Sequence, residues 1–321
     1  MAGNANFDNI VTTTLQRYFN ENGKAVDNIF KRVPVLDFFK RRAKLDAQGG
    51  RSAVMQLEYA TNSTFQTYSG YDTLTPAVDE IVTAAEFAWK QAAIYVPMSG
   101  IEEAKNSGDR AILNLLKTKV ENAERTAAEQ FDLMAFTFDG TENGGKGWAG
   151  LEVLVGDHLS AITSVGGIDC AVAGNEFWRS KVVRGADAAL TLAGLSNVYN
   201  TVSYASDKCD FEITTQVLWE KYESLLQPLQ RFTDPKTAEA GFTNLMHRGS
   251  TVVWGDQVPA KSWWFLNSRH VKLAVLSGKW MHFDGFVKPY NVDAKYGLIL
   301  NYGAFVTNER RKLGVILNAI P

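Results

Sequence analysis

The sequence predicts an α+β fold, and three observations carry that expectation. A long amphipathic stripe runs through residues 109–138, two strand-like stretches stand far apart at 52–61 and 81–89, and strand and helix patterns mix from residue 147 onward. With 321 residues, 45% of them hydrophobic and 21% charged, the chain can bury a large core in one or two domains. No repeat, low-complexity tract or Gly/Ser linker divides it, so its parts read as interleaved subdomains.

In chain order, residues 7–32 read as two short helices broken near Gly23. Ile10, Val11, Leu15, Tyr18 and Phe19 fall on one face, as do Val26, Ile29 and Phe30, and Pro34 ends the run. This beginning is basic. Residues 1–44 hold eight Lys/Arg against four Asp/Glu, a net +4, which leaves −6 for the remainder of a chain of formal charge −2. The segment either packs on its own domain or lies as an arm on a neighbouring subunit. Lys40, Arg41, Arg42 and Lys44 form a cluster with two readings: a charged turn in solvent, or a contact to an acidic neighbour or to packaged nucleic acid through its phosphates.

Residues 52–61 alternate, with Ala53, Met55, Leu57 and Tyr59 on one side; residues 81–89 do the same with Ile81, Thr83, Ala85, Phe87 and Trp89. About 20 residues join these two strands, far more than a tight turn needs. The connection is rich in Thr, Ser and Tyr and carries Phe65, Tyr68 and Tyr71. A loop of that length reaches for something.

Asp109 is a fitting N-cap for the long helix. Leu113, Leu116, Val120, Ala123, Ala127, Phe131, Met134 and Phe138 then recur at steps of three and four, predicting a helix about 42 Å long. Further on, LEVLVG (151–156) reads as a strand, 186–199 as a helix, and 210–215 as a strand running into a helix with Leu218, Tyr222 and Leu225 on one face. Residues 250–255 and 262–268 read as strands. The C-terminus reads as a hairpin: Tyr296, Leu298, Leu300 and Tyr302 alternate, a polar turn follows at 308–312, and 313–317 returns.

The stretch FDGTENGGKGWAG (138–150) holds Gly140, Gly145 and Lys146 at the spacing of a phosphate-cradling loop. Its context argues otherwise. A working loop follows a strand and opens a helix; here the long helix precedes it, and Gly147 stands where the magnesium-binding Ser/Thr belongs. The glycines serve better to end the helix and turn the chain back. The four histidines are scattered (His158, His247, His270, His282) without metal-ligand spacing, and no nucleophile motif is present. The expectation is therefore no enzyme, no cofactor and no metal. Cys170 and Cys209 read as reduced core residues, and Trp263, Trp264 and Trp280 as buried ones. The N-terminus has no signal pattern and no apolar run is long enough to span a membrane. An intracellular protein is expected, and the sequon at Asn62 carries no weight there.

Five phrases in order then resemble the major capsid protein of tailed double-stranded DNA bacteriophages, with its Hong Kong 97-type fold. They are FDG…GWAGLEVLV, VGGIDCAVAGNEFWRSKVV, DFEITTQVLWEKYESLLQPLQRF, GSTVVWGDQVPAKSWWFLNSRHVKL and YGLILNYGAFVTNERRKLGVI, spread over most of residues 110–317. The resemblance implies an N-terminal arm (1–45), an extended loop (46–98), a peripheral domain with a spine helix (99–154), an axial domain (155–290) and C-terminal strands returning to the peripheral domain (291–321). It implies self-assembly as hexamers and pentamers into an icosahedral virion capsid, formed in the host bacterial cytoplasm. Double-stranded DNA would be contacted non-specifically and portal and decoration proteins would be partners. Phe65, Tyr68 and Tyr71 would make intersubunit contacts, and Lys40, Arg41, Arg42 and Lys44 would face the arm's contacts or DNA. The type member cross-links its subunits through a loop lysine; residues 52–89 contain none, so no such isopeptide is expected. No long charged extension precedes the arm, so a separate scaffolding protein is expected. The rival within the fold is an encapsulin-type nanocompartment shell; a nucleotide-dependent enzyme built on 140–147 and a monomeric binding module are rivals of other classes.

Overall fold

A computed structural model describes residues 34–74, 80–105, 115–204, 206–226, 245–280 and 282–321. The helices expected over 7–32, and Asp109 and Leu113 of the long helix, lie outside them. The elements are helix α1 (Pro34–Arg42), strands β1 (Lys44–Ala47), β2 (Ser52–Glu58), β3 (Val82–Ala88) and β4 (Lys90–Ser99), and helices α2 (Gly100–Lys105), α3 (Leu115–Thr137) and α4 (Leu151–Leu154). Then come β5 (Ser164–Val165), β6 (Ile168–Asp169), β7 (Lys181–Ala189), α5 (Leu192–Val202), β8 (Phe211–Thr214) and α6 (Gln216–Leu226). The chain closes with β9 (Leu245–His247), β10 (Ser250–Trp254), β11 (Trp263–Leu266), β12 (Val271–Leu276), β13 (His282–Val287), β14 (Ala294–Thr307) and β15 (Gly314–Ile320). They divide into two compact units.

The smaller unit takes residues 91–131 and 278–302. Strands β4 and β13 both pair with β14, and Val96, Ala123 and Ile299 form its buried centre, with Ile94 and Phe286 packed against them. Lys119 on α3 pins the end of β4: its ammonium donates to the Pro97 carbonyl at 3.1 Å and to Glu102 at 2.7 Å. The bond from Lys119, followed by that from the Ser99 amide, holds the Glu102 carboxyl below its ordinary range.

The larger unit takes residues 33–90, 132–277 and 303–321. It contains a mixed sheet in the order β7-β15-β11-β8-β10-β9. Helices α5 and α6 bury Leu195, Val198, Tyr199, Val202, Leu218 and Tyr222 against Trp263, Phe265 and Val252 of that sheet. The opposite-facing Trp264 meets Phe136 of α3, ring centroids 5.8 Å apart. Every residue of β8 and β11 is consequently buried, and a strand covered on both faces reads as a continuous apolar run. Two polar residues, Glu212 and Thr214, interrupt the run. Glu212, fully buried, accepts from Trp263 Nε1 at 2.8 Å, from the Ser250 hydroxyl and from His247 Nδ1 at 2.8 Å.

Arg310 is also fully buried. Its guanidinium donates to the carbonyls of Val153 (3.1 Å), Leu154 (2.8 Å), Gly156 (3.0 Å) and Trp178 (2.9 Å). Three of these carbonyls lie at or just past the end of α4, where a helix leaves oxygens without internal partners and its dipole is negative. Burial lowers the Arg310 pKa from its ordinary value.

Several expectations need correction. Pro34 opens α1 rather than only ending a run: at the first helical position its missing N–H costs nothing, and Val35, Leu36, Phe38 and Phe39 behind it are buried. The cluster from Lys40 to Lys44 is consequently no turn; it spans the last turn of α1 and the start of β1. LEVLVG is not a strand but the single turn α4, because Gly150 O accepts from Val153 and Leu154 N–H and Leu151 O from Val155 N–H. Residues 186–189 belong to β7, and the helix begins at Leu192 behind the N-cap Thr191, whose hydroxyl accepts from Gly194 N–H. There is no C-terminal hairpin. β14 pairs with β12 and β13, while β15 lies between β7 and β11, so 314–320 shares a sheet with strands from 155–290 instead of standing with the rest of 291–321. The polar turn at 308–312 is partly internal: Arg310 and Lys312 are buried, while Arg311 is exposed. In β14 the buried face holds Ile299 and Asn301, with the alternating Leu298, Leu300 and Tyr302 only half-buried. The long helix ends at Thr137, and its stripe shifts from Phe131 to Ala135 and Phe136 in place of Met134 and Phe138.

Two variants test this packing. Replacing Arg310 by Met strands buried carbonyls, and a loss of about 3 kcal/mol or more is expected in urea unfolding. Asp132 on α3 is 4% exposed, and its Oδ1 has no hydrogen-bond partner among the described residues. Burial, reinforced by the charge of Asp256, raises its pKa from 3.8 to about 7. The folded chain then keeps a proton that the unfolded chain releases near pH 4. This contribution is full below that pH and is lost as pH rises through about 7. Asp132→Asn is expected to stabilise the chain by about 2 kcal/mol at pH 8 and to change little at pH 4.

Candidate functional site

The β2–β3 hairpin pairs in antiparallel register from Ser52↔Ala88 to Glu58↔Val82. Alternation puts Ala53, Leu57, Ala85 and Phe87 on a buried face, as the sequence predicts. That face sits on the turn between β5 and β6. Glu86 N–H donates to Gly166 O at 2.9 Å, and a Cβ on Gly166, whose φ is +62°, would stand 2.7 Å from the Ala85 Cβ. Glycine is thus required there on both counts. Tyr59 packs on Phe177, ring centroids 5.3 Å apart, and Trp89 Nε1 donates to Gly50 O at 2.9 Å. The base of the hairpin is therefore fixed.

Past the bond from Tyr59 N–H to Ile81 O the connection leaves the body. It is locally folded: Asn62 Oδ1 accepts from Thr64 N–H at 2.8 Å, and Asp72 accepts from Ser69 N–H at 2.7 Å. Its apolar groups are not covered. Phe65 is 89% exposed, Tyr68 67% and Tyr71 fully so, with Leu74 half-exposed behind them. The structure thus leaves Phe65, Tyr68 and Tyr71 exposed on one loop.

Of the basic cluster, Arg42 is exposed at the end of α1, and Lys44 pairs with Asp46 at 2.9 Å. Lys40 and Arg41 occupy the last turn of α1, where cations complement the helix dipole; their side chains lie outside the described residues.

The glycine-rich stretch turns the chain after α3, with Gly140, Gly144 and Gly145 all at positive φ. Its amides are engaged: Gly145 N–H donates to Thr141 O at 2.9 Å, and Lys146 and Gly147 N–H both donate to Glu142 O at 3.0 Å. Glu142 carboxylate oxygens take the Asp139 and Gly140 amides. A phosphate would have to displace a carboxylate and break these bonds, so the loop is a helix stop.

One constellation escaped sequence spacing because its members are far apart in the chain. Asp207, His270 and Glu309 bring ligand-type atoms within 4.8 Å of one another. Nε2 of His270 faces Asp207 Oδ2, and Nδ1 faces Asn308 Oδ1 at 2.9 Å. Lys312 and Arg269 approach the same Asp207 carboxylate at 3.9 and 3.8 Å. Partners on opposite edges of the ring, with two cations beside them, make a bridge between chain segments, not ligands converging on one ion. Cys170 and Cys209 are free and buried, as the sequence predicts, and Trp263 and Trp264 are in the core. Among the described residues no helix is long and apolar enough to cross a membrane.

No protein-family model matches the chain, and no curated protein matches it. Solved structures do. The capsid asymmetric unit of cyanophage A-1(L) superposes with a TM-score of 0.68 at 15% identity, over 92% of this chain and 95% of that one. The capsid of a native GTA particle gives 0.58 at 10% identity, over 92% and 94%. The holo-SrpI encapsulin of Synechococcus elongatus PCC 7942 gives 0.57 at 11% identity, over 94% of each. At these identities the likeness is one of fold, and that fold is the Hong Kong 97-type fold of tailed-phage major capsid proteins.

Proposed function

We propose that the chain is a major capsid protein that self-assembles as hexamers and pentamers into an icosahedral shell around double-stranded phage DNA. The carrying observation is full-length agreement with a phage capsid subunit, over more than nine-tenths of both chains. The loop supports it, because exposed aromatics on a fixed base suit a subunit completed by its neighbours. In this reading residues 1–45 are the arm, 46–98 the extended loop and 99–154 the peripheral domain with its spine helix. Residues 155–290 form the axial domain, to which the pairing of β15 adds the last strand. Phe65, Tyr68 and Tyr71 contact the next subunit, and the basic stretch from Lys40 to Lys44 serves arm contacts or faces DNA. The near-neutral charge of −2 fits a coat that encloses DNA without condensing it. A scaffolding protein, a portal and decoration proteins are the expected partners, and assembly takes place in the host bacterial cytoplasm. The protein is structural and not an enzyme.

Sedimentation of the purified chain, alone and with its scaffolding partner, followed by negative-stain microscopy of the fastest fraction, tests the reading. Closed shells or rings of five or six subunits are expected; a monomer under every condition would overturn it. Particles holding a cargo protein instead of DNA would move the assignment to a nanocompartment shell. Tyr68→Asp and Tyr71→Asp are expected to abolish assembly while the melting midpoint stays that of the parent, since exposed substitutions change stability by only about 0.5 kcal/mol. Normal particle yield from both variants would remove the loop from the interface.

A further inference from the structure

The hairpin carries a charge pattern that the aromatic tip does not explain. Residues 52–89 hold five carboxylates (Glu58, Asp72, Asp79, Glu80, Glu86) and no lysine or arginine. Two of the five lie on the outward face of the paired strands. Register sets Val54 opposite Glu86, Gln56 opposite Ala84 and Glu58 opposite Val82, and all six are exposed, Val54 by 53% and Val82 by 61%. The face thus carries three apolar side chains, Val54, Ala84 and Val82, together with Gln56 and a carboxylate near each end. Among the described residues neither Glu58 nor Glu86 has an ion-pair partner. The inner face is closed by the Gly166 turn, which also takes the Glu86 amide, while among the described residues no further strand joins this two-stranded sheet. An isolated two-stranded sheet is marginal in water without cover.

The same chain offers the complement. Just before the hairpin lies a segment with Lys40, Arg41, Arg42, Lys44 and Arg51 against the single acid Asp46. Asp46 is taken by Lys44. Arg42 and Arg51 are exposed, and among the described residues neither has an ion-pair partner. Two unpaired guanidinium groups and two unpaired carboxylates on one chain are satisfied together when one copy meets the next. Guanidinium is also the cation whose planar fork best matches a carboxylate.

We propose that the outward face of the β2–β3 hairpin docks on a second copy of the chain, with Glu58 and Glu86 meeting that copy's Arg42 and Arg51. This rests on the shell reading and names the surface that receives the loop. Val54, Ala84 and Val82 supply apolar contact, and the charges fix the register of the two copies and exclude a hairpin docking on another hairpin.

Charge reversal in the full chain, expressed with whatever partners the wild type needs to assemble, is the test. One variant carries Glu58→Lys and Glu86→Lys, a second carries Arg42→Glu and Arg51→Glu, and a third carries all four changes. Melting curves establish that each is folded. Each two-site variant is expected to lower the yield of sedimenting shells roughly ten-fold, and the four-site variant to return to within about two-fold of wild type. Folded two-site variants that assemble at wild-type yield would overturn the docking while leaving the shell reading in place. A four-site variant no better than its parents would overturn it too. A wild type that forms no shell under any condition would end the shell reading, and the docking with it.

Discussion

One buried guanidinium sets the course of the chain. Among the described residues Arg310 forms no ion pair; it is held by four backbone carbonyls from two separate segments, 153–156 and 178. A buried cation is costly unless its donors are met, and here the oxygens left over at the end of α4 meet them. The three-residue turn at 310–312 is thereby fixed in the interior. The chain leaves β14 in one sheet and enters β15 in the middle of another, between β7 and β11. That crossing explains why the last strand does not fold back on its predecessor, and it closes the sheet whose two central strands carry the aromatic core. The His270 bridge reinforces the same turn from its N-terminal side through Asn308 and Glu309.

This dependence also shows why part of the fold was legible in the sequence and part was not. Period-two alternation located β2 and β3 to within a few residues, because each has one buried face and one exposed face. A period near 3.6 located α3, and the apolar runs at 250–255 and 262–268 gave β10 and β11. The failures share a cause. LEVLVG has the composition of a strand, and it becomes a helical turn because Arg310, over 150 residues away, binds its carbonyls. The run at 308–312 looks like a solvent turn because Arg and Lys rarely sit inside, and no local signal announces a buried arginine. Residues 186–189 carry helix formers, and β7 overrides them by pairing with β15 from the far end of the chain. Where a partner distant in sequence decides local structure, periodicity cannot see it.

At the candidate site the residue types were legible and their arrangement was not. An over-long connection with three aromatics pointed to a partner. The docking of its base on Gly166, and the two carboxylates of its outward face, needed the register and the positive φ that coordinates supply. The phosphate-loop spacing was dismissed on context, and the structure adds the physical reason, since the amides already bond to Thr141 and Glu142. The Asp207–His270 bridge lay beyond any spacing rule, its members being 63 residues apart. The larger unit therefore combines a buried core with a hairpin whose inner face alone is covered.

That contrast is the central claim, and amide hydrogen exchange compares it directly in free and assembled chains. Residues 52–72 are expected to exchange slowly only in the assembled particle, while the β8 and β11 core is equally protected in both. Equal exchange of the hairpin in free and assembled chains would contradict it.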